Sequence, residues 1–182
     1  MQETERQLID AIRAGDREAF QRLYERFARF AMGVGLRYVP NREDALDITQ
    51  DSFVSIITGF NSFEYRGEGS LRNWVSKIVS NHAINWLKEH RQLSFSDQIP
   101  DEIEEDEDSA IEEVPPDLLT EMIGRLPAKY RVIVNLHAFE ELTHKDIALR
   151  LGISERASVS QFFRAKRKLA KMIKEYLNSQ GI

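Results

Sequence analysis

LTHKDIALRLGISERASVSQFFRAKRKLAKMIKEYL, residues Leu142 to Leu177, reads as two helices joined by a sharp turn. Thr143 with Asp146 makes a capping-box-like start. Ile147, Ala148 and Leu151 supply a short apolar face, Gly152 ends the helix, and Ser154 caps a second one. In that second helix Ser158, Phe162, Ala165, Leu169, Ile173 and Tyr176 point one way, while Arg156, Val159, Ser160, Phe163 and Arg167 lead the other. Helix-turn-helix units place the start of the second helix in the major groove, and Arg164, Lys166, Lys168 and Lys171 stand ready for phosphates. The spacing alone is a weak signal, so the charge of the surrounding chain decides how much it means.

That charge is unevenly spread along the 182 residues. Residues 1–91 are balanced, residues 92–124 hold 12 acidic side chains and no basic one, and residues 125–182 hold 12 basic against 5 acidic. The net charge of −5 therefore conceals a basic C-terminal segment suited to a polyanion. Hydrophobic content of 42% and charged content of 30% describe a water-soluble globular chain large enough for two small helical domains. No apolar run approaches a membrane span, so no membrane insertion is expected. The charged start MQETERQLIDAIRAGD lacks the apolar core of a signal peptide, which points to residence in the cytoplasm. Cysteine is absent, and with it disulfides and thiolate metal sites.

Upstream the chain is also helical, with no strand-like alternation. One helix runs from about Thr4 to Ala14 and stops at Gly15. Next, Ala19, Phe20, Leu23, Tyr24, Phe27, Ala31, Val34 and Tyr38 hold a three-or-four spacing until Pro40. Asn41 then caps a helix whose buried side is Ala45, Ile48, Ser52, Phe53, Ile56, Ile57 and Phe60. Its other side lines up Asp44, Asp47 and Asp51, without cationic partners on the same helix. Two readings of this ridge stay open: ordinary solubilising charge, or a docking face for a basic partner.

GFNSFEYRGEG, residues 59–69, is a loop rich in glycine and aromatics, including Phe63 and Tyr65, of a kind that can pinch an unpaired base. It lacks any phosphate-cradling pattern. A helix follows in GSLRNWVSKIVSNHAINWLKEHR, with Leu71, Trp74, Val75, Ile78 and Val79 on one side and Asn73, Lys77, Asn81, Asn85 and Lys88 on the other. Amides that read base edges and ammonium groups that hold phosphates suit nucleic acid, although a polar stripe is also what any solvated helix shows. Residues 92–116 hold three prolines and an acidic block without one basic residue, the composition of a disordered, self-repelling linker. The four histidines are scattered, and no nucleophile constellation or metal-ligand spacing appears, so neither an enzyme nor a cofactor or metal is expected.

With these pieces in order, the chain resembles the extracytoplasmic-function group of bacterial RNA polymerase sigma factors over nearly its whole length. GDREAFQRLYERF, DALDITQDSF, GSLRNWVSKIVSNHAINWL and LPAKYRVIVNLHAFEELTHKDIALRLGISE occur in the sequence that family shows. The resemblance implies an all-α architecture: sigma domain two at 1–92, an acidic linker at 93–116, and sigma domain four, with the helix-turn-helix, at 117–182. It implies that Asp44, Asp47, Gln50 and Asp51 dock on the β′ clamp helices of core RNA polymerase. Phe63, Tyr65, Lys77, Asn81, Asn85 and Lys88 would capture and melt the minus-ten element of promoter DNA. Arg156, Val159, Ser160, Phe163, Arg164, Arg167 and Lys168 would read the minus-thirty-five element while the same domain meets the β flap. An anti-sigma factor is a further implied partner.

The departures lie in the recognition helix, where Arg156-Ala157 replaces a common Gly-Thr, Val159 replaces a basic residue and Ser158 a larger apolar one. No base-contact code is carried over. Two rival functions remain at this stage: a sigma-like decoy that titrates an anti-sigma inhibitor, and a helix-turn-helix regulator that works without polymerase.

Overall fold

The computed structural model describes residues 3–95 and 115–180, so the expected linker falls largely outside the described residues. All regular structure among the described residues is helical, in eight α-helices. The chain divides into two compact units between Trp86 and Leu87, near the end of the fourth helix.

In the first unit α1 (Glu5–Arg13) begins at Thr4, whose side chain accepts from Gln7 N–H while Gln7 Oε1 accepts from Thr4 N–H at 2.9 Å. Helix α2 (Ala19–Tyr38) buries Leu23, Phe27, Ala31, Val34 and Tyr38 of the stripe that its three-or-four spacing predicts, whereas Tyr24 of that stripe is 49% exposed. Helix α3 (Arg42–Gly59) starts under Asn41, which accepts from both Glu43 and Asp44 N–H, and Glu43 and Asp44 also suit the positive end of the helix dipole. Packing of α2 on α3 is close at Gly35, where an added Cβ would lie 3.3 Å from the Ala45 carbonyl oxygen. A single 3₁₀ turn (Phe60–Ser62) ends α3, and α4 (Ser70–Glu89) returns across the core through Leu71, Val75, Val79 and Ala83. Ser55 Oγ on α3 and His82 Nε2 on α4 meet at 2.8 Å.

On α3 a further expectation fails. Ile57 is 44% exposed rather than part of the buried side, as are Leu46 (47%) and Val54 (62%). The reason is geometric. Ile48, Ser52, Phe53 and Ile56 fill the arc that α3 turns to the core, and Ile57 lies one residue, about 100° of helix, beyond Ile56.

In the second unit α5 (Pro116–Gly124) and α6 (Ala128–Val134) pack on the later turns of α8 (Glu155–Gln180) through Met122, Ile123, Leu126, Tyr130, Val134, Ala165, Leu169 and Ile173. Pro127 sits at the N-cap of α6. Arg131 is buried, and its guanidinium donates to the carbonyls of Gly124, the last residue of α5, and of Leu126 just beyond it. After Val134 the helix widens into a π-helical turn (Asn135–Phe139), with Glu140 N–H reaching back five residues to the Asn135 carbonyl. A largely buried Arg150–Glu140 ion pair of 2.8 Å ties the end of that turn to α7 (His144–Leu151). Thr143 caps α7 by accepting from Asp146 N–H, Gly152 takes a left-handed φ of 71° at its end, and Ser154 Oγ accepts from Ala157 N–H at the start of α8.

Candidate nucleic-acid and polymerase interfaces

Along α3, Asp47, Gln50 and Asp51 are exposed and Asp44 is half-buried. Among the described residues no cation lies within ion-pair distance of the three aspartates. Leu46, Gln50, Val54 and Ile57 follow one another at helical spacing, so apolar groups alternate with the acidic ones on a single exposed face. Tyr24 extends it from α2, its ring 4.8 Å from that of Phe53. Charge patterning picked out the carboxylates; the apolar partners escaped because Ile57 was assigned inward. Their signal was Leu46 and Val54, which fit no buried stripe.

The 63–69 loop is organised by an aromatic cluster. Phe60 lies 5.7 Å from Phe20, 5.9 Å from Phe63 and 5.9 Å from Trp74, and Phe63 lies 5.1 Å from Trp74. Phe63 therefore corrects a prediction: its ring is 3% exposed and built into the core, so it offers no face for a base to stack on. Instead it floors a cleft of about 620 Å³ whose walls include Glu64, Arg66, Ser70, Asn73, Trp74 and Lys77. Tyr65 is half-buried, with the Arg6 guanidinium 5.6 Å from its ring centre and its hydroxyl 3.5 Å from Glu68. From the cleft, α4 presents Asn73, Lys77, Asn81, Asn85 and Lys88 as one exposed row, while Leu71, Val75 and Val79 face inward. The amide and ammonium side chains that the sequence grouped are thus brought together, and Tyr65 stands near the row's beginning only through the loop.

On α8, Arg156, Arg167 and Lys168 are exposed, and Val159, Phe163 and Arg164 are half-buried on the outward side. The Lys166 ammonium lies 5.9 Å from the Phe163 ring centre, and that of Lys168 lies 5.8 Å from the Tyr130 ring centre. Ser160 is another correction: it is 5% exposed and unavailable for reading. The first turns of α8 pack through two rows, Ala157–Gln161–Ala165 and Ser158–Ala165–Leu169, and Ser160 falls beside the first of them. The buried arc at this end is wider than one stripe.

Sequence reading also scattered two histidines that the fold joins. His137 and His144 stack with ring centres 4.5 Å apart, and Phe162 meets them edge-on at 4.6 and 5.5 Å. His137 Nδ1 donates to the Leu142 carbonyl at 2.9 Å, and His144 Nδ1 lies 2.9 Å from Ser158 Oγ. Burial first, and then the neighbouring His137, hold the His144 imidazole below its ordinary pKa, against a smaller opposing pull from Glu155. Ser158, small where a larger apolar residue was the expectation of the family, leaves room for this pair.

Among the described residues no helix is long and apolar enough to cross a membrane, and no three acidic or histidine side chains gather as a metal site. Residues 23–92 match the family description "Sigma-70 region 2", and residues 110–169 match "Sigma-70, region 4". The RNA polymerase sigma-H factor of Pseudomonas aeruginosa is 25% identical over 97% of both chains. The ECF RNA polymerase sigma-E factor of Haemophilus influenzae is 26% identical over 90% of this chain and 92% of its own. Among solved structures, the sigma factor RpoE in complex with the anti-sigma factor NepR from Bartonella quintana shares the fold, with a TM-score of 0.54 and 18% identity over 86% of this chain and 98% of that one. CnrH in complex with the cytosolic domain of CnrY does so with a TM-score of 0.53 and 19% identity over 95% and 99%. With both sigma regions matched in order and relatives aligned almost end to end, this chain belongs to the extracytoplasmic-function sigma factors of bacterial RNA polymerase.

Proposed function

We propose that the protein is a promoter-specificity subunit that brings core RNA polymerase to a promoter set and helps open the DNA, with its work divided among three surfaces. The observation that carries the reading is the pairing, within one compact unit, of an unneutralised acidic and apolar face on α3 with an amide and ammonium row on α4. Asp44, Asp47, Gln50 and Asp51 dock on the β′ clamp helices, and Leu46, Val54 and Ile57 add the apolar contact that a charged patch alone lacks. Lys77, Asn81, Asn85 and Lys88 hold the minus-ten strand, while Tyr65 and the cleft beside it receive an unpaired base.

On the second unit, Arg156, Val159, Phe163, Arg164, Arg167 and Lys168 meet the minus-thirty-five duplex, and the domain also contacts the β flap. Opening DNA costs a few kcal/mol for each unstacked step, and base capture with phosphate contacts offsets it. No bond is made or broken, no cofactor is called for, and the protein works in the cytoplasm, where polymerase and chromosome are. An anti-sigma factor that covers these surfaces is a fitting regulator, in keeping with the Bartonella quintana relative solved in complex with one.

The test is transcription by core polymerase on sheared chromosomal DNA with and without the protein. The wild type is expected to yield a distinct set of start sites. Asp47→Arg places a cation where the clamp expects an anion and should lower core affinity by about tenfold or more, the cost of like charges facing each other across an interface. Asn81→Ala should keep core affinity and lose open complexes. Transcripts unchanged by the wild-type protein would leave the decoy; start sites retained by Asp47→Arg would favour the polymerase-independent regulator.

A further inference from the structure

Helix α1 precedes residues 23–92, the span matched to sigma region 2, yet it makes polar contacts to both ends of the loop between α3 and α4. Glu5, at its start, is 4% exposed. Its Oε2 accepts from the N–H groups of Gly69 at 2.9 Å and Leu71 at 3.3 Å, across more than sixty positions of chain. Those donors open α4, where N–H groups lack helical partners and the helix dipole favours a carboxylate. At the other end of α1, Arg13 donates through a guanidinium nitrogen to the Phe63 carbonyl at 2.9 Å. Between them the Arg6 guanidinium stands over the Tyr65 ring.

Side-chain burial does not hold the intervening stretch. Glu64, Arg66 and Glu68 are exposed, and Gly67 and Gly69 take φ of 122° and 89°, where L residues are rarely found. A segment of this kind has many open conformations; Ser70 Oγ accepts from Arg66 N–H and donates to the Gly67 carbonyl within it, and Arg13 and Glu5 fix its backbone at either end.

We infer that α1 is a clip for promoter-strand capture: Glu5 and Arg13 are positioning residues that hold the 63–71 loop in the shape that receives an unpaired base. The inference rests on the reading of that cleft as the minus-ten site. Neither side chain touches DNA in this scheme. Both raise the fraction of molecules whose cleft is already formed, and the apparent affinity for the strand scales with that fraction.

Holoenzymes are reconstituted with wild-type protein, Glu5→Gln, Glu5→Ala and Arg13→Met, and each is offered a single-stranded DNA pool with a randomised window. The strand that the wild type selects is then titrated against all four. Glu5→Ala and Arg13→Met should bind it about five- to tenfold more weakly, the loss expected for a charge-assisted hydrogen bond to backbone. Glu5→Gln, which keeps an acceptor without the charge, should fall between, and core affinity should stay at the wild-type value throughout. Equal strand affinity in all four overturns the clip, even where Glu5→Ala melts at a lower temperature. Strand and core affinity falling together assigns both residues to folding and also overturns it. A wild-type holoenzyme that selects no strand removes the minus-ten reading beneath the proposal.

Discussion

His144 shows what a single residue contributes that spacing cannot announce. Its imidazole is wedged among His137, Phe162 and Ser158, and its pKa is lowered by burial and by the adjacent ring. A histidine depressed in the folded state binds fewer protons there than in the unfolded chain, so it favours folding above its ordinary pKa of 6.5 and that contribution is lost as pH falls through the folded value. The thermal midpoint is expected to drop below pH 6.5 in the wild type, and His144→Gln should flatten the acid limb of the curve. An unaltered limb would place the responsible proton elsewhere. Sequence reading could not reach this because the two histidines come together through the π-helical turn, and a one-residue widening leaves no mark in an apolar period. Phe63 and Ser160 were misplaced for a related reason: a loop aromatic and a helix serine each look exposed until the width of the surrounding core is known.

At the scale of elements the sequence speaks more clearly, because caps and stripes are local. Thr4, Asn41, Thr143 and Ser154 stand at helix starts, and Gly152 ends α7, where their chemistry puts them. What local chemistry does not state is how near two helices come. Gly35 is legible only as a break in the α2 stripe, yet its missing side chain lets α2 approach α3 until the Ala45 carbonyl and Thr49 hydroxyl are 3.3 and 3.4 Å from where a Cβ would be. Gly35→Val should therefore force the pair apart and cost about 1–3 kcal/mol, as overpacking does. Urea unfolding at fixed m-value checks it. Since the face proposed to meet polymerase lies on the far side of α3, a stability loss without loss of core affinity would show that the face tolerates a small shift of its helix. The same limit explains α1: Gly15 marks where that helix stops, but Arg13 and Glu5 act on a loop fifty and more positions away, a distance over which spacing carries no information.

For the molecule as a whole, the partition of charge is legible at once. Residues 125–182 carry 12 basic side chains against 5 acidic, while the acidic excess lies in residues 92–124. An exposed cation that meets a phosphate releases condensed counterions, so log affinity falls linearly with log salt, with a slope near −0.9 per phosphate on duplex DNA. Arg167 and Lys168 lie exposed on α8 and are placed for such contacts, whereas Val159 and Phe163 beside them have no charge to contribute. Removing one cation at a time should thus lower affinity for an upstream duplex and shallow the salt slope by about one unit per residue. The amide row on α4 should behave otherwise, because Asn81 and Asn85 displace no counterions: Asn81→Ala is expected to weaken strand capture with the slope intact. Filter binding of holoenzyme across a salt series separates the two. If Lys168→Ala leaves the slope unchanged, its ammonium remains over Tyr130 in the bound state, and the phosphate contacts belong to the arginines of α8 instead.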